Sequence, residues 1–131
     1  MYIEIFLVIT GCTRGVGFCY AKELAKRNMN LILMGRNEQR ISEISKLLLR
    51  DHPDIKIEIL DIDFSRTEDF SKKIIESLDG KDIGILVNNV GVILPFPMYF
   101  NEVRYYSCSY RKSPMLYKKV AQNNQGAYYP K

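Results

Sequence analysis

Along residues 1–94 the apolar positions alternate between two spacings, and each change of spacing marks an element boundary. "IEIFLVI" (residues 3–9) is a nearly unbroken apolar, β-branched run, the pattern of a strand buried on both faces of a parallel sheet. From Val16 the spacing becomes helical: Val16, Tyr20 and Leu24 recur every four residues and predict one apolar stripe. Lys26 and Arg27 then place cations near the helix C-terminus, and Asn28 suits a left-handed cap. A second short apolar run, "LILMG" (residues 31–35), precedes a second helical face at Ile41, Ile44 and Leu48, with Asn37 as its N-cap and Pro53 closing it.

"IKIEILDID" (residues 55–63) opens with alternation at Ile55, Ile57 and Ile59 and predicts a third strand. Ser65-Arg66-Thr67-Glu68 has the form of a capping box ahead of a stripe at Phe70, Ile74 and Leu78. Asp79-Gly80 is a turn, and "IGILVNN" (residues 83–89) predicts a fourth strand. The order β-α-β-α-β-α-β with short connections implies the α/β class and a parallel sheet with right-handed crossovers. Past Leu94 both periods fail. "PFPMYF" has two prolines in three residues, and six of the nine tyrosines fall after it in no regular spacing. The chain therefore divides into residues 1–100, one α/β unit, and residues 101–131, a basic, tyrosine-rich tail.

Composition changes this picture little. At 131 residues, 47% hydrophobic and 26% charged, the length suits a single core. No run approaches the ~18 apolar residues of a spanning helix, and Glu4 interrupts the apolar opening that a secretory signal would need. The expected setting is cytoplasmic. Three cysteines without a C-x-x-C pair and a lone His52 offer neither a disulfide framework, nor a metal site, nor a Ser-His-Asp triad.

Charge is more informative by position than by total. The net charge is +4, yet residues 1–100 hold 13 Lys and Arg against 14 Asp and Glu, so the excess lies in the tail. Six basic residues among tyrosines, without a recognisable nucleic-acid module, leave nucleic acid out as an expected partner.

The chemistry is concentrated in "TGCTRGVG" (residues 10–17), between the first strand and the first helix. Gly11 permits a tight turn, while Gly15 and Gly17 lack side chains where a backbone must approach a pyrophosphate and a helix must pack on a strand. The helix beginning near Gly15 would direct its N–H groups and positive dipole end at an anion. Arg36 stands at the end of the second strand, roughly 20 residues past the loop, where an acidic residue would take a ribose hydroxyl. A guanidinium there suits a 2′-phosphate, and Arg14 offers a second contact. "NNVG" (residues 88–91) ends the fourth strand at the sheet edge where ligands bind, with Asn88 and Asn89 able to bridge strand ends or meet a ribose.

Together these stretches resemble the short-chain dehydrogenase/reductase family. "TGCTRGVG" matches its T-G-x-x-x-G-x-G loop and "NNVG" its N-N-A-G element. "AKELAKRNMNLILMGRN" and "DIGILVNNVG" are most similar to the branch of 17-beta-hydroxysteroid dehydrogenases and very-long-chain 3-oxoacyl-CoA reductases. The resemblance covers about residues 4–100. It implies the N-terminal half of a three-layer Rossmann-like sheet, incomplete at about four strands, and an NADP(H) cofactor. By the same resemblance Thr10, Gly11, Arg14, Gly15, Val16 and Gly17 line the pyrophosphate site. Arg36 meets the NADP phosphate, Asp63 and Phe64 the adenine, and Asn88, Val90 and Gly91 the ribose side.

The family's activity is hydride transfer to a keto group, of a steroid or a 3-oxoacyl-CoA in this branch, with a tyrosine as proton donor and a lysine four residues on. No tyrosine of this chain is followed by lysine at that spacing. No catalytic residue is therefore assigned, and the chain is expected to be a truncated form. The alternative is a non-catalytic nucleotide-binding or dimerising half-domain, since a four-stranded parallel sheet leaves an edge and an apolar face to cover. The branch also carries an expectation of the endoplasmic reticulum as an alternative location.

Overall fold

The computed structural model describes residues 4–64 and 70–91. The elements are β1 (Ile5–Thr10), α1 (Gly15–Lys26), β2 (Asn30–Gly35), α2 (Glu38–Asp51), β3 (Ile57–Asp61), α3 (Ser71–Leu78) and β4 (Asp82–Val87). All pairings are parallel, in the order β3-β2-β1-β4. Side chains alternate across a strand, so each face of the sheet builds its own core. Leu7, Ile9, Leu31 and Leu33 face α1 and α2, packing with Ala21, Ala25, Ile41 and Leu48. Phe6, Val8, Ile32 and Met34 face α3, packing with Ile74, Leu78 and Ile83. The central position of β1 and β2, buried on both faces, explains their unbroken apolar runs.

The local signals for caps and turns hold. Asn28 takes φ 57° and donates its N–H to the Ala25 carbonyl at 2.9 Å, ending α1. Asn37 caps α2 by accepting the Arg40 N–H at 2.9 Å. Asp79-Gly80 turns the chain between α3 and β4, with Gly80 at φ 70°.

Four expectations need correction. The buried residues of α1 are Gly17, Ala21 and Ala25, whereas Val16 and Tyr20 are 63% and 48% exposed. The helix lies so close to the strands that only small residues fit directly beneath it; Val16 and Tyr20 turn outward, while Leu24 is half-buried and packs against the core as expected. β3 is shorter than residues 55–63 because it is an edge: Ile59 is exposed, while Ile55 and Ile62 are buried just outside the strand. Phe70 stands ahead of α3 rather than within it, its ring edge-on to Phe64 at 5.3 Å. The capping box at residues 65–68 and the tail at 101–131 lie outside the described residues. β4 ends at Val87, leaving Asn88 and Asn89 beyond the strand.

Candidate functional site

β1 leads through α1 to β2 on one side, and β4 returns to β1's other side. The crevice outside the carboxyl ends of β1 and β4 is thus the point where strand order reverses, the usual ligand position in open α/β sheets. A cleft of about 620 Å³ opens there. The β1–α1 turn contributes Gly11, Thr13 and Arg14 to its wall, and the β2–α2 turn contributes Gly35, Arg36, Asn37 and Arg40. Ile62, Asp63 and Phe64 follow β3, and Asn89, Val90 and Gly91 follow β4.

Its floor is a hydrogen-bonded knot between the ends of β1 and β4. Thr10 is fully buried. Its hydroxyl accepts the N–H groups of Asn89 (2.9 Å) and Val90 (3.0 Å) and donates to the Val87 carbonyl at 3.3 Å. A hydroxyl has one proton and two lone pairs, so these three bonds saturate it. The Asn89 amide nitrogen donates to the Thr10 carbonyl at 3.2 Å and to the Gly11 carbonyl at 3.1 Å, using both its protons. Gly11 holds φ 67° and anchors the turn to β2 through its N–H to the Met34 carbonyl at 2.9 Å. Gly17 rests on this knot: a Cβ there would lie 2.3 Å from the Gly11 oxygen and 2.5 Å from the Asn89 amide nitrogen.

Seven of the twelve residues expected at the site line the cleft: Gly11, Arg14, Arg36, Asp63, Phe64, Val90 and Gly91. Five do not. Thr10 and Gly17 are buried beneath the cleft as structure, Gly15 and Val16 are exposed at the start of α1, and Asn88 is exposed past β4. Six lining residues stand outside those twelve: Asn89, already weighed as a ribose contact, and Thr13, Gly35, Asn37, Arg40 and Ile62. The signal for Arg40 was present in the spacing, since a helix capped at Asn37 carries it back one turn toward Arg36.

The electrostatics favour an anion. Arg14, Arg36 and Arg40 face the cleft, and among the described residues none of them forms an ion pair. Among the described residues Asp63 is the one carboxylate of the lining. Also among the described residues, no three His, Cys, Asp or Glu side chains gather as metal ligands. No helix among them is long and apolar enough to cross a membrane.

Cys12, next to Gly11, is fully buried, with its thiol directed at the Met34 carbonyl. Burial pushes that thiol up to about 11 from the ordinary 9.0. Below pH 9 it is protonated in folded and unfolded chains alike, so the stability it allows is fully present. Above pH 9 the unfolded chain releases its proton first, and stability falls as pH rises toward 11. The expected loss is about 2 kcal/mol across that window, measured as the difference in urea midpoint between the wild type and Cys12→Ala. Parallel curves for the two proteins would contradict it. In folded protein at neutral pH, exposed Cys19 should alkylate while Cys12 is protected.

A profile of the family described as short chain dehydrogenase matches residues 6–107. The chain belongs to the short-chain dehydrogenase family. It is 43% identical over 96 residues to the inactive hydroxysteroid dehydrogenase-like protein 1 of Homo sapiens, covering 73% of this chain and 29% of that protein. To the very-long-chain 3-oxoacyl-CoA reductase of Anas platyrhynchos it is 38% identical, over 73% of this chain and 30% of the reductase. Among solved structures, a short-chain dehydrogenase from Sphingobium yanoikuyae in complex with NADPH matches with a TM-score of 0.76 and 25% identity. That match covers 89% of this chain and 47% of the Sphingobium chain. The alcohol dehydrogenase of Comamonas testosteroni, at 23% identity and a TM-score of 0.75, shares the fold over 89% of this chain and 48% of its own. The chain thus spans about three-tenths of the length of the curated relatives and about half of the structural neighbours.

The fold is Rossmann-like, and family membership supports a nicotinamide cofactor. The residues present fit one. The donor set of the Arg14, Arg36 and Arg40 guanidinium groups, the Thr13 hydroxyl and the Asn37 amide matches phosphate and ribose oxygens. At Gly15 an added Cβ would meet nothing within 4 Å, so the start of α1 is open to a ligand.

Proposed function

We propose that this chain holds NADP(H) for a short-chain dehydrogenase that reduces the keto group of a steroid or a 3-oxoacyl-CoA. The observation that carries the reading is Arg36 at the end of β2, facing the cleft where a carboxylate would select NAD. The 3-oxoacyl-CoA reductase relative supports the substrate class, whereas the human hydroxysteroid dehydrogenase-like relative is an inactive protein and leaves the alternative of a non-catalytic nucleotide-binding half-domain in place. When bound, the reduced nicotinamide supplies hydride. The chain's own residues hold the phosphates through Arg14 and Arg36, seat the adenine beside Asp63 and Phe64, and set the ribose against Val90 and Gly91. Thr10, Gly11 and Gly17 shape the turn that makes this geometry possible, and Gly15, Val16 and Asn88 flank it. No tyrosine in these 131 residues has a lysine four positions on, so proton donation is assigned to none of them.

Calorimetric titration of the full chain tests the cofactor. NADPH should bind at least about tenfold more tightly than NADH, the scale of one charge-assisted hydrogen-bond pair. Arg36→Gln should bring the two affinities to within about twofold by weakening NADPH alone. Equal affinity in the wild type, or no saturable binding, would overturn the reading.

A further inference from the structure

The apolar row of α1 that turns away from the core has a counterpart on β4. Gly84 is an extra residue in that strand: Phe6 pairs with Ile83, but Leu7 pairs with Ile85. The bulge sets Ile85 and Val87 on the same sheet face as Leu7 and Ile9, and Ile5 shares that face by alternation. Among the described residues α1 packs on β1 and β2, and α2 on β2 and β3. β4 is therefore uncovered on this face, with Ile85 50% and Ile5 46% exposed. In a right-handed crossover the row Val16, Tyr20 and Leu24 lies on the flank of α1 toward β4, away from α2. That row runs about 12 Å along the helix. Ile5, Ile85 and Val87 run about 13 Å along the strands. The two apolar surfaces are the wall and the floor of one groove, and a contiguous patch of this kind marks a docking site.

We propose that residues 114–122 of this chain form a helix that docks in the groove beside α1. Packed helices lie about 8–10 Å apart. β4 lies about 7 Å to the side of α1's seat between β1 and β2, so the groove has room for one helix. Within a tail otherwise without regular spacing, Ser113 and Pro114 are a preferred N-cap and a preferred first helical residue. Leu116, Tyr117, Val120 and Ala121 then share one side of such a helix, and Lys118, Lys119 and Gln122 the other. A helix that short is not stable in water without a surface to pack on. Covalent attachment favours this occupant over a separate molecule. Leu116 stands 25 positions past Gly91, ample chain to run back along β4, and such a tether holds the segment at an effective concentration of roughly millimolar. A second copy joined along the open edge of β4 would place its own α1 about 19 Å away and leave the space between unfilled.

Hydrogen exchange read by mass spectrometry on the full chain tests the docking without any ligand, and so independently of the cofactor reading. The backbone amides of residues 115–122 are expected to exchange at least about tenfold more slowly than in a free peptide of the same sequence. Tyr20→Asp, at an exposed position, should return them to the free-peptide rate while the amides of β1 keep their protection. Leu116→Asp alters no described contact, and by uncovering the groove it should raise the fluorescence of added 1-anilinonaphthalene-8-sulfonate at least about twofold. If Tyr20→Asp does not fold, the dye measurement on Leu116→Asp decides. Unprotected amides in the wild type, protection that survives Tyr20→Asp, or dye fluorescence unchanged by Leu116→Asp would overturn the proposal. Protection that fades on about hundredfold dilution would also overturn it, giving the groove to a second copy of the chain.

Discussion

Gly17→Ala is expected to destabilise the protein by about 3 kcal/mol or more, at the upper end of overpacking costs, and Gly17→Val to leave no cooperative unfolding transition. The added Cβ would sit 2.3 Å from the Gly11 carbonyl oxygen, 2.9 Å from its carbon and 2.5 Å from the Asn89 amide nitrogen. Two of these atoms are backbone, and none can retreat cheaply. Gly11 is held to β2 through Met34, and its oxygen receives one proton of the Asn89 amide. Relief would require α1 to move off β1, which would expose the apolar contacts of Ala21 and Ala25 beneath it. The control is Gly15→Ala. There the Cβ meets nothing within 4 Å, and the φ of 57° costs only about 1–2 kcal/mol. Urea unfolding followed by circular dichroism should therefore rank Gly17→Ala well below Gly15→Ala. Equal midpoints for the two would show that α1 does not depend on this close approach.

The same close approach explains which parts of the molecule were legible in the amino-acid order. Strand runs, the caps at Asn28 and Asn37 and the turn at Asp79-Gly80 are set by local chemistry, and local chemistry is written in neighbouring residues. The face of α1 is set by distance to the sheet. Hydrophobicity at four-residue spacing selected Val16, Tyr20 and Leu24, but a helix in near contact with strands buries its smallest residues, Gly17, Ala21 and Ala25. β3 was overextended for a related reason: alternation marks which residues are apolar, not where an edge strand stops pairing. In the cleft, the glycine loop and Arg36 were visible because their spacing from a strand end has a chemical meaning. The division of labour between Thr10 and Asn89 was not, because residues 79 positions apart meet only after the sheet forms. A threonine in a phosphate loop reads as a ligand contact until its hydroxyl is found already saturated.

That saturation makes Thr10→Val the second large effect. Valine keeps the shape and removes the oxygen, so the Val87 carbonyl loses a donor and the Val90 N–H loses its acceptor. The Asn89 N–H retains a bond to the Val87 carbonyl at 3.1 Å, so its loss is partial. One orphaned donor and two weakened groups beside a fully buried site should cost about 2–3 kcal/mol in total. The consequence extends to binding, because Asn89 and Val90 form the cleft wall past β4. Without the hydroxyl, only the Asn89 side chain ties that wall to β1, and NADPH affinity should fall about fivefold or more even under conditions where the variant is folded. Thr10→Ser keeps the oxygen with its three partners and should recover most of both losses. Thermal unfolding and NADPH titration on the three proteins give the comparison. If Thr10→Ser is as damaged as Thr10→Val, the methyl group and not the hydroxyl holds β1 to β4, and the knot beneath the cleft is a packing contact. If Thr10→Val is folded and fully stable but has lost NADPH, the hydroxyl serves the ligand directly instead of the strand ends.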